Sequence, residues 1–338
     1  MKLTFDIKEL KLKHSWGISR GVWHVKQNVF VRLEKDGITG LGEAAPNIRY
    51  DETPESTVGF IEKAKPLLEN SDPEQFYDLG KEIQALAAGQ TAAKAALDIA
   101  LLDWNTKRAG FPMYRYLGLQ KAKAPVTSFS IGIDSAEIIR QKIQEADEYP
   151  LLKIKLGQHN DEEIIDTVRA VTDKPLRIDA NEGWTTKEEA LAKIHWLQTQ
   201  NVEFIEQPMP ADMLSETAWV RERVDLPLIA DESVKGARDI PQLATAFDGI
   251  NIKIMKSGGL QEALRMIWLA KAMEMKIMLG CMVESSIAIS AAAAISPLAD
   301  YADLDGNLLI SNDPYTGAAV ENGVLILNDL PGIGVTTR

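Results

Sequence analysis

Cysteine is almost absent. The chain of 338 residues holds one, Cys281, which excludes an internal disulfide and any cysteine-based metal cluster and fits a reducing compartment. Histidine is nearly as scarce: His14, His24, His159 and His195 are the complete set, and none falls at the end of a predicted strand, where a histidine base would be needed. Positive charge is in deficit, with 37 Lys and Arg against 49 Asp and Glu and a net charge of −12. No local basic patch overrides that field, so a polyanion such as DNA is repelled. No apolar run reaches the roughly 18 residues that suggest a membrane helix. Met1 to Lys8 alternate polar and apolar side chains where a secretory leader would present an apolar core. No glycine-rich loop follows any predicted strand, which argues against a nucleotide-binding sheet. What remains, 45% hydrophobic and 25% charged, is the composition of an ordinary soluble globular protein. A cytoplasmic protein without nucleic-acid or membrane partners is expected.

The length points to two domains at roughly 150 residues each, long enough to bury roughly 75% of the surface the unfolded chain exposes. Residues 1–45 read as strands: Leu3, Phe5 and Ile7 alternate with polar neighbours, and Asn28 to Leu33 runs into the Asp36-Gly37 turn. Aromatic- and glycine-containing loops are expected at Ser15 to His24 and at Pro46 to Glu52. Thr53 and Pro54 open a helix as cap and first helical residue. Residues 91–108 form the strongest helix, ended by Gly110 and Pro112. This opening block is an α+β domain. Beyond residue 125 the pattern becomes eight short apolar strands: Thr127–Ile131, Leu151–Lys155, Leu176–Ala180, Glu203–Gln207, Leu228–Asp231, Gly249–Lys253, Lys276–Gly280 and Ala302–Leu304. Amphipathic helices lie between them, one entered at Thr185/Thr186 with Glu188 or Glu189 completing a capping box. The alternation predicts an α/β fold, a parallel (β/α)8-type barrel, with an open doubly wound sheet as the competing arrangement.

In a parallel barrel, functional side chains sit at the C-terminal ends of strands. Those ends carry Lys153 and Lys155, Asp179, Glu206, Asp231, Lys253, and Asp303 with Asp305. Charge at the end of an apolar strand is costly unless it is paired or holds a metal. Three successive strands each end in one carboxylate, within IDAN, IEQP and IADES. Such a trio is a hard, all-oxygen site suited to Mg²⁺, with positions left for a substrate carboxylate. Alternatively, the acids pair with the strand-end lysines or cap the following helices. The lysines fall on strands two and six, which are diametrically opposed in an eight-stranded barrel, so a substrate between them meets one amine on each face. That suits two-base proton transfer: one lysine removes a proton α to a carboxylate and the other returns one from the opposite side, through an enediolate that a divalent cation stabilises. For Lys155 to act near neutral pH its pKa must fall, and burial and the neighbouring Lys153 cation both lower it. The KxK spacing puts both side chains on one face of the strand, with Lys153 the electrostatic partner. Either lysine alone reads equally well as a plain salt-bridge partner.

Taken in order, ALDIALLDW, AGFPMYRYLG, KIK, IDANEGW, EQP, ADES, NIKIMKSGG and GCMVESS, behind an α+β cap, cover nearly the whole chain. The set resembles the enolase superfamily, in its muconate-lactonizing subgroup. A lysine or histidine base beside one or two Mg²⁺ ions is a known property of that superfamily rather than a reading of these residues. The resemblance implies a modified (β/α)7β barrel over residues 116–311, under a capping domain of residues 1–115 completed by residues 312–338. It implies Asp179, Glu206 and Asp231 as Mg²⁺ ligands and Lys155 and Lys253 as the acid/base pair, and it leaves Lys256, in the next turn, without a catalytic role. Asp231 and Lys253 are 22 positions apart, tighter than expected for the subgroup, which we assign to a shortened helix-to-strand loop.

The superfamily fixes the proton abstraction and not the product. Asp303-Leu304-Asp305, at the end of the last strand, resembles the dipeptide epimerases, in which such a pair binds the free α-ammonium. Two carboxylates attract a cationic amine and repel a dicarboxylate. Alternatively, one aspartate forms the Asp305-Gly306 turn. The resemblance thus implies a Mg²⁺-dependent isomerase that inverts the C-terminal residue of a dipeptide, its small-molecule partner. The oligomeric state is left open, a homo-oligomer included. Arg20 would pair with an acidic side chain such as that of Ala-Glu or, as lone loop arginines more often do, lie at the surface, whereas Trp16 and Trp23 would line an apolar pocket or pack between domains. The balance favours a neutral or apolar second residue, with Ala-Glu close behind. Ser128 either bonds substrate or fills the barrel, Glu284 supports the site from behind, and Cys281 and His195 are expected to be packed. The rivals are a cycloisomerase or o-succinylbenzoate synthase of the same subgroup, a Schiff-base lyase using Lys253 as nucleophile, and a non-catalytic dipeptide-binding barrel.

Overall fold

The computed structural model describes residues 1–18 and 21–338. The N-terminal part is an antiparallel sheet of β1 (Lys2–Ile18), β2 (Gly21–Lys35) and β3 (Ile38–Ala44), in that order. The first two far exceed the usual strand of 3–10 residues. Their register breaks once, between Lys11 and Trp16, and then resumes with Trp16 opposite Trp23 and Gly17 opposite Val22. The stretch expected as a loop from Ser15 to His24 is therefore, where described, the continuation of a hairpin. It is held against the barrel by the Ile133 N–H, which donates to the Gly17 carbonyl at 2.9 Å. A Cβ at Gly17 would run into the Ile133 carbonyl, so glycine is what lets the hairpin dock on the barrel. The second expected loop contains one 3-10 turn, Ile48–Tyr50, capped by the Asn47 side chain.

Three helices follow, α1 (Pro54–Glu69), α2 (Phe76–Ala85) and α3 (Thr91–Arg108). Thr53 caps α1, with the Ser56 hydroxyl returning the bond. α3 is buried on nearly every face, as a helix apolar all round must be. Gly40 and Gly42 of β3 let that strand approach it, since a Cβ at either would meet the carbonyl of Ala100 or Ala96. On the opposite side Asp98 accepts from the Gln261 amide nitrogens, main chain at 3.2 Å and side chain at 2.6 Å.

Eight parallel strands follow, each hydrogen-bonded to the next: β4 (Phe129–Ile131), β5 (Leu152–Lys155), β6 (Leu176–Asp179), β7 (Val202–Glu206), β8 (Leu228–Ala230), β9 (Gly249–Lys253), β10 (Lys276–Gly280) and β11 (Tyr301–Asp303). A parallel bridge from Thr127 to Ala302 joins the last strand to the start of the first. This closes the barrel and sets aside the open doubly wound sheet. A helix follows each of the first seven strands, and after β11 the chain leaves for the C-terminal segment, giving (β/α)7β. The tight spacing before Lys253 lies in the helix after β8 as well as its loop: that helix is only Ile240–Leu243, four residues with a proline in its first turn. No helix among the described residues is long and apolar enough to cross a membrane.

Asp103 of α3 ties three segments together. Its carboxylate accepts from the main-chain nitrogens of Leu41 on β3 and Ile333 near the C-terminus, both at 2.8 Å, and from Lys107 Nζ at 2.6 Å. Asp103→Ala leaves two buried N–H groups without an acceptor and is expected to destabilise the fold by about 3 kcal/mol, seen as a lower midpoint in urea. Asp103→Asn, which keeps one acceptor, should lose less.

Candidate active site

The strand register assembles the site. Lys155 lies opposite Asp179, Asp179 opposite Glu206, Lys253 opposite Gly280, and Gly280 opposite Asp303. Strand side chains alternate between faces, so Lys153 points inward one layer below Lys155. Asp231 follows Ile229, the partner of Glu206, by two residues and reaches the layer above. The barrel thus concentrates at its C-terminal mouth residues that are 150 positions apart in the chain.

All are buried, and all are paired. Lys153 Nζ lies 2.7 Å from Asp303, 2.6 Å from Glu206 and 3.2 Å from Asp179. Lys155 Nζ meets Asp179 at 2.6 Å, and Lys253 Nζ meets Asp231 at 2.8 Å. The two opposed lysines therefore attach to two different carboxylates of the trio. Lys256, given no role on sequence, donates to both the carboxylate and the carbonyl of Asp231.

Burial opposes charge throughout, and the partners decide the balance. Burial would discharge Lys153, but Asp303, Glu206 and Asp179 outweigh it and hold its pKa well above the usual lysine range. Lys253 is likewise raised against burial by Asp231 and Glu206. Asp231 is pulled well down by Lys253 and Lys256, and Asp179 is also lowered, by Lys155 and Lys153. Glu206 goes the other way: burial and the nearby Asp179 push it up to about 8 despite Lys153.

Side chains not anticipated from sequence hold this arrangement. Asn251 Nδ2 donates to Glu206 at 2.7 Å. Gln207 adopts a left-handed backbone, φ 36°, directly after Glu206, a conformation that non-glycine residues keep only when fixed by their surroundings. Its side-chain oxygen accepts from the Asp231 N–H at 2.9 Å and the Ser233 N–H at 3.1 Å, linking one strand end to the next. Asn251 was legible two positions before Lys253 on the same strand face. Gln207 carried no signal, because its role is set by the turn it makes.

Asp303 and Asp305 both line the cavity above the barrel, but they differ. Asp303 is occupied, by Lys153 on one oxygen and by the Ser128 hydroxyl at 2.6 Å on the other. Asp305 accepts from the Ser130 N–H at 2.7 Å, and burial together with Asp303 pushes it up to about 6. Ser128 is buried against Asp303, and the cavity wall at this point is Ser130. Arg20 lies outside the described residues.

Among the weaker candidates, Glu284 is buried, accepts from the Met282 N–H at 2.8 Å, and is raised to about 8 by burial and Glu43. Cys281 is half-buried and lines the cavity, its thiol raised well above its usual value by burial and by Asp305 and Glu284. His195 is exposed, its Nε2 paired with the Arg223 carbonyl at 3.0 Å, which corrects the expectation of a packed side chain.

Asp179, Glu206 and Asp231 each offer a carboxylate oxygen, and these oxygens all lie within 4.8 Å of one another. The donor set is all oxygen and negatively charged, which fits a hard divalent cation. In addition Glu206 Oε2 accepts no hydrogen bond and meets only the Lys153 ammonium.

Known proteins share this frame. Residues 4–118 match the N-terminal domain of mandelate racemase and muconate lactonizing enzymes, and residues 136–338 match the enolase C-terminal domain-like family. The L-Ala-D/L-Glu epimerase of Bacteroides thetaiotaomicron is 48% identical over 99% of this chain and 88% of its own length. A hydrophobic dipeptide epimerase of a Flavobacteria bacterium is 37% identical over 99% and 97%. The crystal structure of the Cytophaga hutchinsonii dipeptide epimerase, complexed with Mg and D-Ala-L-Val, superposes with a TM-score of 0.94 at 28% identity, covering 99% of this chain and 95% of that one. The chain belongs to the enolase superfamily, as a member of its mandelate racemase and muconate lactonizing enzyme family.

Proposed function

We propose that the protein is a Mg²⁺-dependent dipeptide epimerase, inverting the α-carbon of the C-terminal residue by proton transfer between Lys155 and Lys253. One observation carries this reading: lysines on opposed strands flank a trio of carboxylates, with Asp303 and Asp305 on the cavity wall. The names of the full-length relatives support it. The cap would then comprise residues 1–115 with 312–338, and the catalytic barrel residues 116–311.

Asp179, Glu206 and Asp231 would hold the metal. A divalent cation held there would supply positive charge for the substrate carboxylate as the α-proton leaves, with the carboxylates now paired to the lysines serving as its ligands. Freed of those counter-ions, each Nζ can accept or donate a proton at the α-carbon, one from each face. A proton lost to one lysine and regained from the other inverts the centre. Asp305, with Asp303 behind it, takes the α-ammonium of the substrate. Lys153 stays charged between its three carboxylates and fixes Asp303, while Ser128 holds the other Asp303 oxygen. The same two aspartates repel a dicarboxylate, which argues against the cycloisomerase.

Proton NMR in D₂O tests the reading. With Mg²⁺ present, an L,L-dipeptide should lose the α-proton signal of its C-terminal residue as the L,D-diastereomer grows in. Lys155→Ala should remove exchange from one stereoisomer and Lys253→Ala from the other, each slowing epimerisation by about 10²- to 10⁴-fold. Full activity in either variant rules out the two-base scheme. Turnover of a dicarboxylate with none of any dipeptide would replace the epimerase by the cycloisomerase.

Metal binding gives a second test. EDTA should abolish exchange and Mg²⁺ restore it. Glu206, raised to about 8 in the metal-free site, must lose its proton to become a ligand. Mg²⁺ affinity should therefore rise with pH up to about 8 and level off above, with net proton release when calorimetry at pH 7 is compared between buffers. Affinity independent of pH would place the cation elsewhere.

A further inference from the structure

The identity of the residue being inverted can be approached from the geometry of the reaction, on the basis of the dipeptide reading above. When the α-carbon has lost its proton, its three remaining substituents lie in one plane, with Lys155 facing one side of that plane and Lys253 the other. The carboxylate points to the trio of Asp179, Glu206 and Asp231. The amide nitrogen leads to the ammonium and points to Asp303 and Asp305. The third substituent, the side chain, cannot go down, because the barrel floor is filled by Lys153 and its buried partners. It leaves through the mouth and meets the cap.

The cap closes the cavity with Trp16, Trp23 and Lys26 from the hairpin and with Ile48, Arg49 and Tyr50 from the turn after β3. Two of these are cations, and they differ sharply. Arg49 is committed: its guanidinium forks onto Glu182 at 2.9 and 2.8 Å. Lys26 has no carboxylate within ion-pair distance among the described residues. Its Nζ sits 4.2 Å from the centre of the Trp23 ring, which orients the amine but neutralises nothing. Its pKa is lowered, and burial is the cause. A half-buried ammonium without a counter-ion is unfavourable, and in this cavity the anion has to arrive with the ligand. The two tryptophans alone would suit an apolar side chain, but a stranded cation over the Trp23 ring would not.

We infer that Lys26 selects the substrate by pairing with a side-chain carboxylate on the residue being inverted, so that the dipeptides turned over are those ending in glutamate or aspartate.

The test compares L-Ala-L-Glu with L-Ala-L-Gln, which differ in charge but scarcely in size, together with L-Ala-L-Leu. The wild-type enzyme should favour the glutamate dipeptide over both by roughly 10- to 100-fold in kcat/KM. Lys26→Met, nearly isosteric with lysine, should abolish that preference chiefly through KM, because the contact is made equally in ground and transition states. Lys26→Gln should behave alike, and Lys26→Arg should restore the preference. A merely structural lysine would change all three substrates together. Equal turnover of the neutral dipeptides by the wild-type enzyme overturns the inference and leaves the epimerase reading intact. So does an unchanged Glu-to-Gln ratio in folded Lys26→Met. Absence of α-proton exchange with every dipeptide overturns both.

Discussion

Buried charge at one end of the barrel is the constraint on which the rest depends. Lys153, Lys155, Lys253 and Lys256 face Asp179, Glu206, Asp231, Asp303 and Asp305, and all nine are buried. None could be there alone, since an isolated ion in a low-dielectric interior would neutralise instead. The protonation state of each is therefore set by the others, and the shifts follow that logic. Glu206, between two other carboxylates, rises; Asp231, between two lysines, falls well down. Removing one partner from such a set exposes the desolvation of those that remain. Loss of Lys153 would disturb Asp303, Glu206 and Asp179 together.

What makes the arrangement repeatable is the rigidity of the frame. A closed parallel barrel has no free edge, and its hydrogen-bond register leaves no freedom to slide. Position along each strand is thus converted into position around a ring. The finer adjustments come from neutral groups bonded to the carboxylate-bearing residues: Asn251 on Glu206, Gln207 bridging to Asp231, Ser128 on Asp303. The left-handed backbones at Asn181, Glu182 and Gln207 lie just past two of the carboxylate-bearing strands. Strain of this kind persists only where surrounding bonds over-determine it.

Much of this was legible because a charged residue ending an apolar strand contradicts its own surroundings. That contradiction picks out Asp179, Glu206, Asp231, Lys155 and Lys253 from the amino-acid order alone, and the eight strand positions follow from apolar runs of the right length. The features that escaped depend on contacts distant in sequence. Gly17 and Gly21 look like loop punctuation between Ser15 and His24, yet Gly17 is small so that the barrel loop at Ile133 can reach it. Lys256 reads as surplus beside Lys253, because nothing local shows that the chain folds back to put it on Asp231. Ser128 and Ser130 both carry a hydroxyl that reaches Asp303, and only the closure of the barrel decides which of them lines the cavity. The helix after β8 is cut to a single turn, a shortening whose place inside the segment the Asp231–Lys253 spacing could not reveal.

The separation of barrel from cap has a physical consequence for how such a site can change. Within the barrel, altering any one charge unbalances the others, so the buried charge cluster resists substitution. The cavity-facing side chains of the cap hairpin are outside that cluster. Lys26, Trp16 and Trp23 belong to a hairpin fastened to the barrel by main-chain and amide contacts, at Gly17 and at Asn28, whose side chain reaches the Val283 carbonyl at 3.0 Å. Those attachments do not involve the side chains of Lys26, Trp16 or Trp23. A residue such as Lys26 can therefore be exchanged without loosening the hairpin or disturbing a buried ion pair. In the reaction we propose, the carbon held between the two lysines would direct its variable substituent to the wall formed by that hairpin. The proposed chemistry and selectivity would thereby lie on different elements of one continuous core.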